Sequence, residues 1–167
     1  CENDSQGKTL ETNKLFTWEN KMMVKLLALI EVVGGLNGVI SSLLYLLPNA
    51  SENKLSIIII LNLYILVCIA GILLYKKRLL GYKLSFIVNA LQVIYFLFNG
   101  ILYYFASLVS FYLMINYEAS LVFELEFGGK ASIGYIDSNA TEVGLNIIPI
   151  IIILILFALY NERKKVI

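Results

Sequence analysis

Histidine does not occur in this 167-residue chain. With it go zinc-histidine sites and the side chain that most often serves as general base near neutral pH. Cysteine is nearly as scarce: Cys1 stands in a polar tail and Cys68 inside an apolar run, which disfavours a disulfide between them and offers neither metal-ligand nor redox spacing. No P-loop, dinucleotide fingerprint or nucleophile elbow occurs, and no pair of carboxylates shares a helical face. No catalytic, cofactor-binding or metal-binding residue can be nominated, and the expectation is a protein that is not an enzyme and carries no cofactor. Charge is the other shortage: 15% charged against 59% hydrophobic residues excludes a soluble domain and a disordered chain alike.

What the chain does have is four long apolar stretches, 22–47, 55–75, 82–115 and 144–160. Each can reach across a hydrocarbon core about 30 Å thick at about 1.5 Å per residue. The expected fold is therefore an all-α membrane protein, a four-transmembrane-helix bundle with a long third helix and a small extracytoplasmic β-hairpin between helices 3 and 4. Lys8, Lys14, Lys21, Lys25, Lys76, Lys77, Arg78, Lys83, Arg163, Lys164 and Lys165 fall on one side, and only Lys54 and Lys130 on the other. Eleven against two is a positive-inside signal, predicting a multi-pass protein of the cell membrane with both termini cytoplasmic. The basic clusters are thereby explained as topology determinants, and no nucleic-acid partner is expected. An acylated Cys1 would put the amino terminus outside, against this charge pattern; a chain that is a piece of a longer one fits better.

Four segments follow: a cytoplasmic or interfacial stretch 1–21, in which Leu15, Phe16 and Trp18 suit headgroup depth; helices 1–3 over 22–116; an extracytoplasmic hairpin over 117–143; and helix 4 with a basic tail over 144–167. This layout resembles that of the tetraspanins in topology alone. The outer segment lacks their Cys-Cys-Gly motif, so nothing functional carries over.

Within the first stretch, helical phase gathers Glu31, Gly34, Gly35, Asn37, Gly38, Ser41 and Ser42 on one side, opposite an apolar arc of Val32, Val33, Leu36, Val39, Ile40 and Leu43. Gly34, Gly35, Gly38 and Ser42 permit close backbone approach and are the expected helix-packing residues. Glu31 is the one acid well inside an apolar stretch, where a charge costs about 2.5 to 3.5 kcal/mol on insertion scales. It reads either as a proton- or cation-binding carboxylate or as a neutral acid hydrogen-bonded to Asn or Ser neighbours.

The third stretch carries Ser85, Asn89, Gln92, Phe96, Asn99, Tyr103, Ser107 and Ser110 at alternating four- and three-residue steps. That phase predicts one helix through Asn99-Gly100, its stripe turned toward the first span. Glu31, Asn37, Asn89, Gln92 and Asn99 then form an intramembrane polar cluster. The second and fourth stretches, with Asn62 and Pro149 as their notable interruptions, look peripheral. Farther on, Phe123, Leu125 and Phe127 alternate with acids, and after Gly128-Gly129-Lys130, Ala131, Ile133 and Tyr135 alternate with small residues. A three-residue loop pairs Phe127 with Ala131, Leu125 with Ile133 and Phe123 with Tyr135, giving the hairpin one apolar face. Asn49-Ala50-Ser51 and Asn139-Ala140-Thr141 are glycosylation triplets on the same predicted side.

The functional expectation is a non-enzymatic accessory or assembly subunit whose partners are the lipid bilayer and another membrane protein or a second copy. The alternative is a small transporter or channel component using the polar cluster as a pathway.

Overall fold

A computed structural model describes residues 2–47, 54–116, 120–135, 137 and 140–164, with side chains described for all of these except 2–20, 116, 163 and 164. The triplet at 49–51, Asn139 of the second triplet, and the Leu15, Phe16 and Trp18 side chains lie outside the described residues. The elements in order are α1 (Glu2–Leu46), α2 (Lys54–Tyr75), α3 (Leu79–Val93), β1 (Ile94–Phe98), β2 (Ile101–Ala106), β3 (Val109–Asn116), β4 (Leu121–Phe127), β5 (Lys130–Tyr135), β6 (Glu142–Asn146) and α4 (Ile147–Lys164).

Among the described residues the fold is thus four helices plus a six-stranded antiparallel sheet, not an all-α, multi-pass four-helix bundle. Among the described residues only two helices are long and apolar enough to cross a membrane, Lys21–Leu46 of α1 and Lys54–Tyr75 of α2. The third apolar stretch is not one helix. It turns to strand at Ile94, where Ile-Tyr-Phe-Leu-Phe and Ile-Leu-Tyr-Tyr-Phe are the β-branched and aromatic residues that suit a pleated surface. Asn99 at φ 48° and Gly100 at φ 81° sit between them, joining Phe98 to its partner Ile101. Two consecutive positive φ values in a two-residue loop are the mark of a type I′ turn, whose twist matches that of the strands it connects.

The strand order is β4-β3-β6-β1-β2-β5. The expected hairpin is overturned as well: β4 and β5 are strands, but they lie at opposite ends of this order. Phe123, Leu125 and Phe127 pair with Leu113, Phe111 and Val109 of β3, while Ala131, Ile133 and Tyr135 pair with Phe105, Tyr103 and Ile101 of β2. Laid flat, six strands would separate β4 from β5 by about 24 Å. Gly128 and Gly129 join them, a link of at most about 11 Å. The sheet must therefore curl back on itself. The tyrosines confirm the curl, because Tyr104 of β2 and Tyr112 of β3 have ring centroids 5.3 Å apart although β1 and β6 lie between their strands.

Register fixes the two faces. The concave face carries Tyr95, Leu97, Tyr104, Ser110, Tyr112, Glu124, Glu126, Lys130, Glu142 and Asn146, and the convex face is a nearly unbroken set of Ile, Leu, Val and Phe. At the other end of the molecule, Val24, Leu27 and Ala28 of α1, Leu74 of α2, Tyr82 of α3 and Leu156 and Leu159 of α4 form one buried cluster. Lys25 over the Tyr75 ring and the Tyr82–Tyr160 pair show which helix ends meet there.

Candidate functional site

Glu31 lies where α1, α2 and α3 meet, and it is 3% exposed. Both its carboxyl oxygens are occupied: Ser85 Oγ donates to Oε2 at 2.7 Å and Asn89 Nδ2 to Oε1 at 2.9 Å. Ser85 and Asn89 are one turn apart on α3 and present the same face, as four-residue spacing requires. Asn89 Nδ2 also reaches Ser85 O at 2.8 Å, which fixes the amide's orientation toward the carboxyl. The third side of the node is Gly71 of α2, where a Cβ would stand 3.0 Å from Glu31 Cβ and 2.8 Å from Ala28 O. A side chain at 71 would push α2 away and open the node.

The remaining polar-cluster residues are apart from this carboxyl. Gln92, buried one turn farther along α3, donates to Val88 O at 3.1 Å and accepts from Ser107 N at 2.9 Å, so it ties the helix to the link between β2 and β3. Asn37 is exposed on α1, and Asn99 is exposed in the turn between β1 and β2. The five residues therefore do not line one path.

The small residues of α1 seat two different neighbours. A Cβ at Gly35 would stand 2.5 Å from Cys68 Sγ and 2.8 Å from Cys68 N, a backbone contact with α2. Gly38 faces the Tyr64 ring, which a Cβ would overlap. At Gly34 a Cβ would instead stand 3.1 Å from the Ser107 carbonyl and from Leu108 Cβ, in the link between β2 and β3. Ser42 Oγ turns back to Gly38 O at 2.8 Å within its own helix. Thus α1 packs along α2 and receives the sheet's crossover; α3 lies on α2 and α4 and meets α1 at Glu31.

Several residues at these junctions carry no obvious signal in the sequence. Tyr64, buried in the middle of α2, donates to Ala106 O at 2.9 Å and packs on Phe105. Among apolar neighbours it reads as one more hydrophobic residue. Far from being peripheral, α2 buries Tyr64, Val67, Ala70, Gly71 and Leu74. Asn146 precedes α4 directly; its Oδ1 accepts from Ile148 N at 3.3 Å, as an N-cap does, and from Phe111 N at 3.0 Å, as a tie to β3. Its position before an apolar helix was the available clue. On the concave face of the sheet Tyr95 donates to Glu142 at 2.9 Å, Tyr104 donates to Glu126, and Glu126 pairs with the exposed Lys130.

No protein-family model, curated protein or solved structure matches this chain. Among the described residues no group of three or more His, Cys, Asp or Glu side chains is placed to hold a metal ion.

Proposed function

We propose that the chain is a non-enzymatic membrane protein, an accessory or assembly subunit, in which Glu31 is a structural tie between α1 and α3. One observation carries this reading: the carboxyl is buried with both oxygens hydrogen-bonded to α3. A group that exchanges protons or cations needs a free coordination site and a route to water. Here Ser85 and Asn89 each donate to one carboxyl oxygen, the group is buried, and Asn37, Gln92 and Asn99 are engaged or exposed elsewhere. A membrane setting is supported by the helices that meet at the node: α1 and α2 are the two described helices long and apolar enough to cross a membrane, with Glu31 of α1 bonded to α3 and Gly71 of α2 against it.

In this reading α1 and α2 cross the cell membrane as a pair. The end holding Lys21, Lys25, Lys76, Lys77, Arg78 and Lys83 is cytoplasmic, by the positive-inside rule. The carboxyl end of α4 lies at that same end, beside Tyr82. The partners are the bilayer and another membrane protein or a second copy. Flux measurement tests the reading. In reconstituted vesicles, wild type and Glu31→Gln should show the same proton and cation permeability. A current present in wild type and lost in Glu31→Gln, with the fold intact, would establish the carboxyl as a carrier and defeat the proposal.

A further inference from the structure

The sheet is amphipathic in the sense opposite to that of a sheet in water. An antiparallel sheet with one wet face buries its apolar residues and exposes its polar ones. Here the concave face buries Ser110 and Asn146 completely and Tyr112 almost so, while the convex face exposes Phe123 at 60%, Leu125 at 57%, Phe127 at 74% and Val143 at 54%. Ile94, Phe98, Ile115 and Leu145 extend the same exposed apolar surface across β1, β3 and β6. The part of this face that is covered, Tyr103, Phe105, Ala131 and Ile133, rests against Ile60, Tyr64 and Val67 of α2.

The depth of the sheet is set by those contacts. Tyr64 is midway along the 22-residue α2 and bonds Ala106 O. From there β5 follows α2 toward its start: Gly129 is beside the Tyr64 hydroxyl, and a Cβ at Gly134 would lie 3.7 Å from Ser56 Oγ. Tyr64 and Ser56 are about 12 Å apart along the helix. A sheet attached over that interval lies alongside the half of α2 that is farther from the basic end. It cannot also lie beyond the end of α2 as a cap.

We propose that the exposed convex face of the sheet is covered by bilayer hydrocarbon, so that the curled sheet is itself embedded in the leaflet farther from the basic end. This rests on the reading of α1 and α2 as membrane-crossing helices. The inverted amphipathicity is what lipid demands of a sheet, with apolar side chains outward and polar ones inward. The curl answers the other demand, that backbone groups in hydrocarbon find partners, since it brings the two edge strands toward one another and lays β5 on α2. By register Glu126, half-buried, and Lys130, exposed, lie on the concave face, the side opposite the proposed lipid-covered one.

Tryptophan reporters in the full-length protein test this, in a Trp18→Phe background reconstituted into vesicles with brominated acyl chains. Phe123→Trp and Leu125→Trp report on the convex face, Val122→Trp on the concave face and Ile40→Trp on the exposed face of α1. The expected result is a loss of fluorescence at 123 and 125 comparable to that at 40, with much less at 122. Two convex-face reporters guard against one misfolding. Quenching at 40 with none at 123 and 125, whether these respond to aqueous iodide or are shielded by a second copy, would overturn the embedded sheet and leave the membrane helices standing. No bromolipid quenching at 40 would bring down the membrane reading, and the sheet proposal with it.

Discussion

The two ends of this molecule both bury polar side chains, a carboxyl among the helices and serine, tyrosine and asparagine on the concave face of the sheet, but they satisfy the backbone differently. At the basic end the four helices bond their own main chains and pack around an apolar cluster, and one buried carboxyl with two donors links α1 to α3. At the sheet end the strands bond their main chains to one another, so strand order, curl and two-residue links have to agree with each other. Local pattern determines a helix; it determines a strand without determining its partner. Where helix and sheet meet, glycine on α1 supplies the room, with Gly38 under Tyr64 and Gly34 under the β2 to β3 link.

The largest expected effect comes from closing that junction. Gly38→Leu drives a side chain into the ring of Tyr64, whose hydroxyl donates to Ala106 O. Overpacking of this kind costs about 3 kcal/mol, enough to remove most folded protein from a detergent extract. Ile40→Leu, on the exposed face of the same helix, should leave yield unchanged. Val39 is no such control, since it packs against the cluster around Tyr64 rather than facing outward as helical phase alone suggests. Equal tolerance at 38 and 40 would dissolve the junction.

The helical end should respond to Glu31→Leu with a loss of about 2 kcal/mol, because Ser85 and Asn89 would be left buried without their acceptor. Glu31→Gln keeps the size and an acceptor and should stay within about 0.5 kcal/mol of wild type; thermal unfolding in detergent compares the two. A Gln variant as damaged as the Leu variant would mean that charge, rather than hydrogen bonding, matters at this position.

The sheet end has its own smaller test. Asn99→Ala puts a Cβ-bearing residue without a side-chain amide at φ 48°, a penalty of about 1 kcal/mol, whereas Asn99→Gly should be tolerated. Amide exchange should quicken in β1 and β2 for the Ala variant and stay unchanged in α1 and α2. Uniform quickening would contradict a division of the molecule into two differently held ends.

These contrasts explain what was readable beforehand. The lengths of α1 and α2 follow from uninterrupted apolar runs, and Glu31 stands out as the one acid among them. The third run misleads because Ser85, Asn89 and Gln92 do keep helical spacing, and the phase continues by coincidence through Phe96, Asn99 and Tyr103 once aromatic residues are admitted to a polar stripe. Asn99-Gly100 between two β-branched, aromatic runs was the stronger signal, since only a turn needs two positive φ values there. The alternation in 121–127 and 130–135 marks both strands. Alternation alone does not show that β3 and β2, which lie inside an apolar run with helical spacing, are the partners of these strands.

The tie between Glu31 and α3 is the claim on which the functional reading depends, and a double-mutant cycle on Glu31→Leu and Asn89→Leu measures it directly. Unfolding free energies of the wild type, both single variants and the double variant isolate the pair from its surroundings. A favourable coupling of about 1 kcal/mol, in the range of interhelical hydrogen bonds in membranes, is the predicted result. Additivity within about 0.3 kcal/mol would show that the two side chains do not hold the helices together, and the structural role of Glu31 would be contradicted.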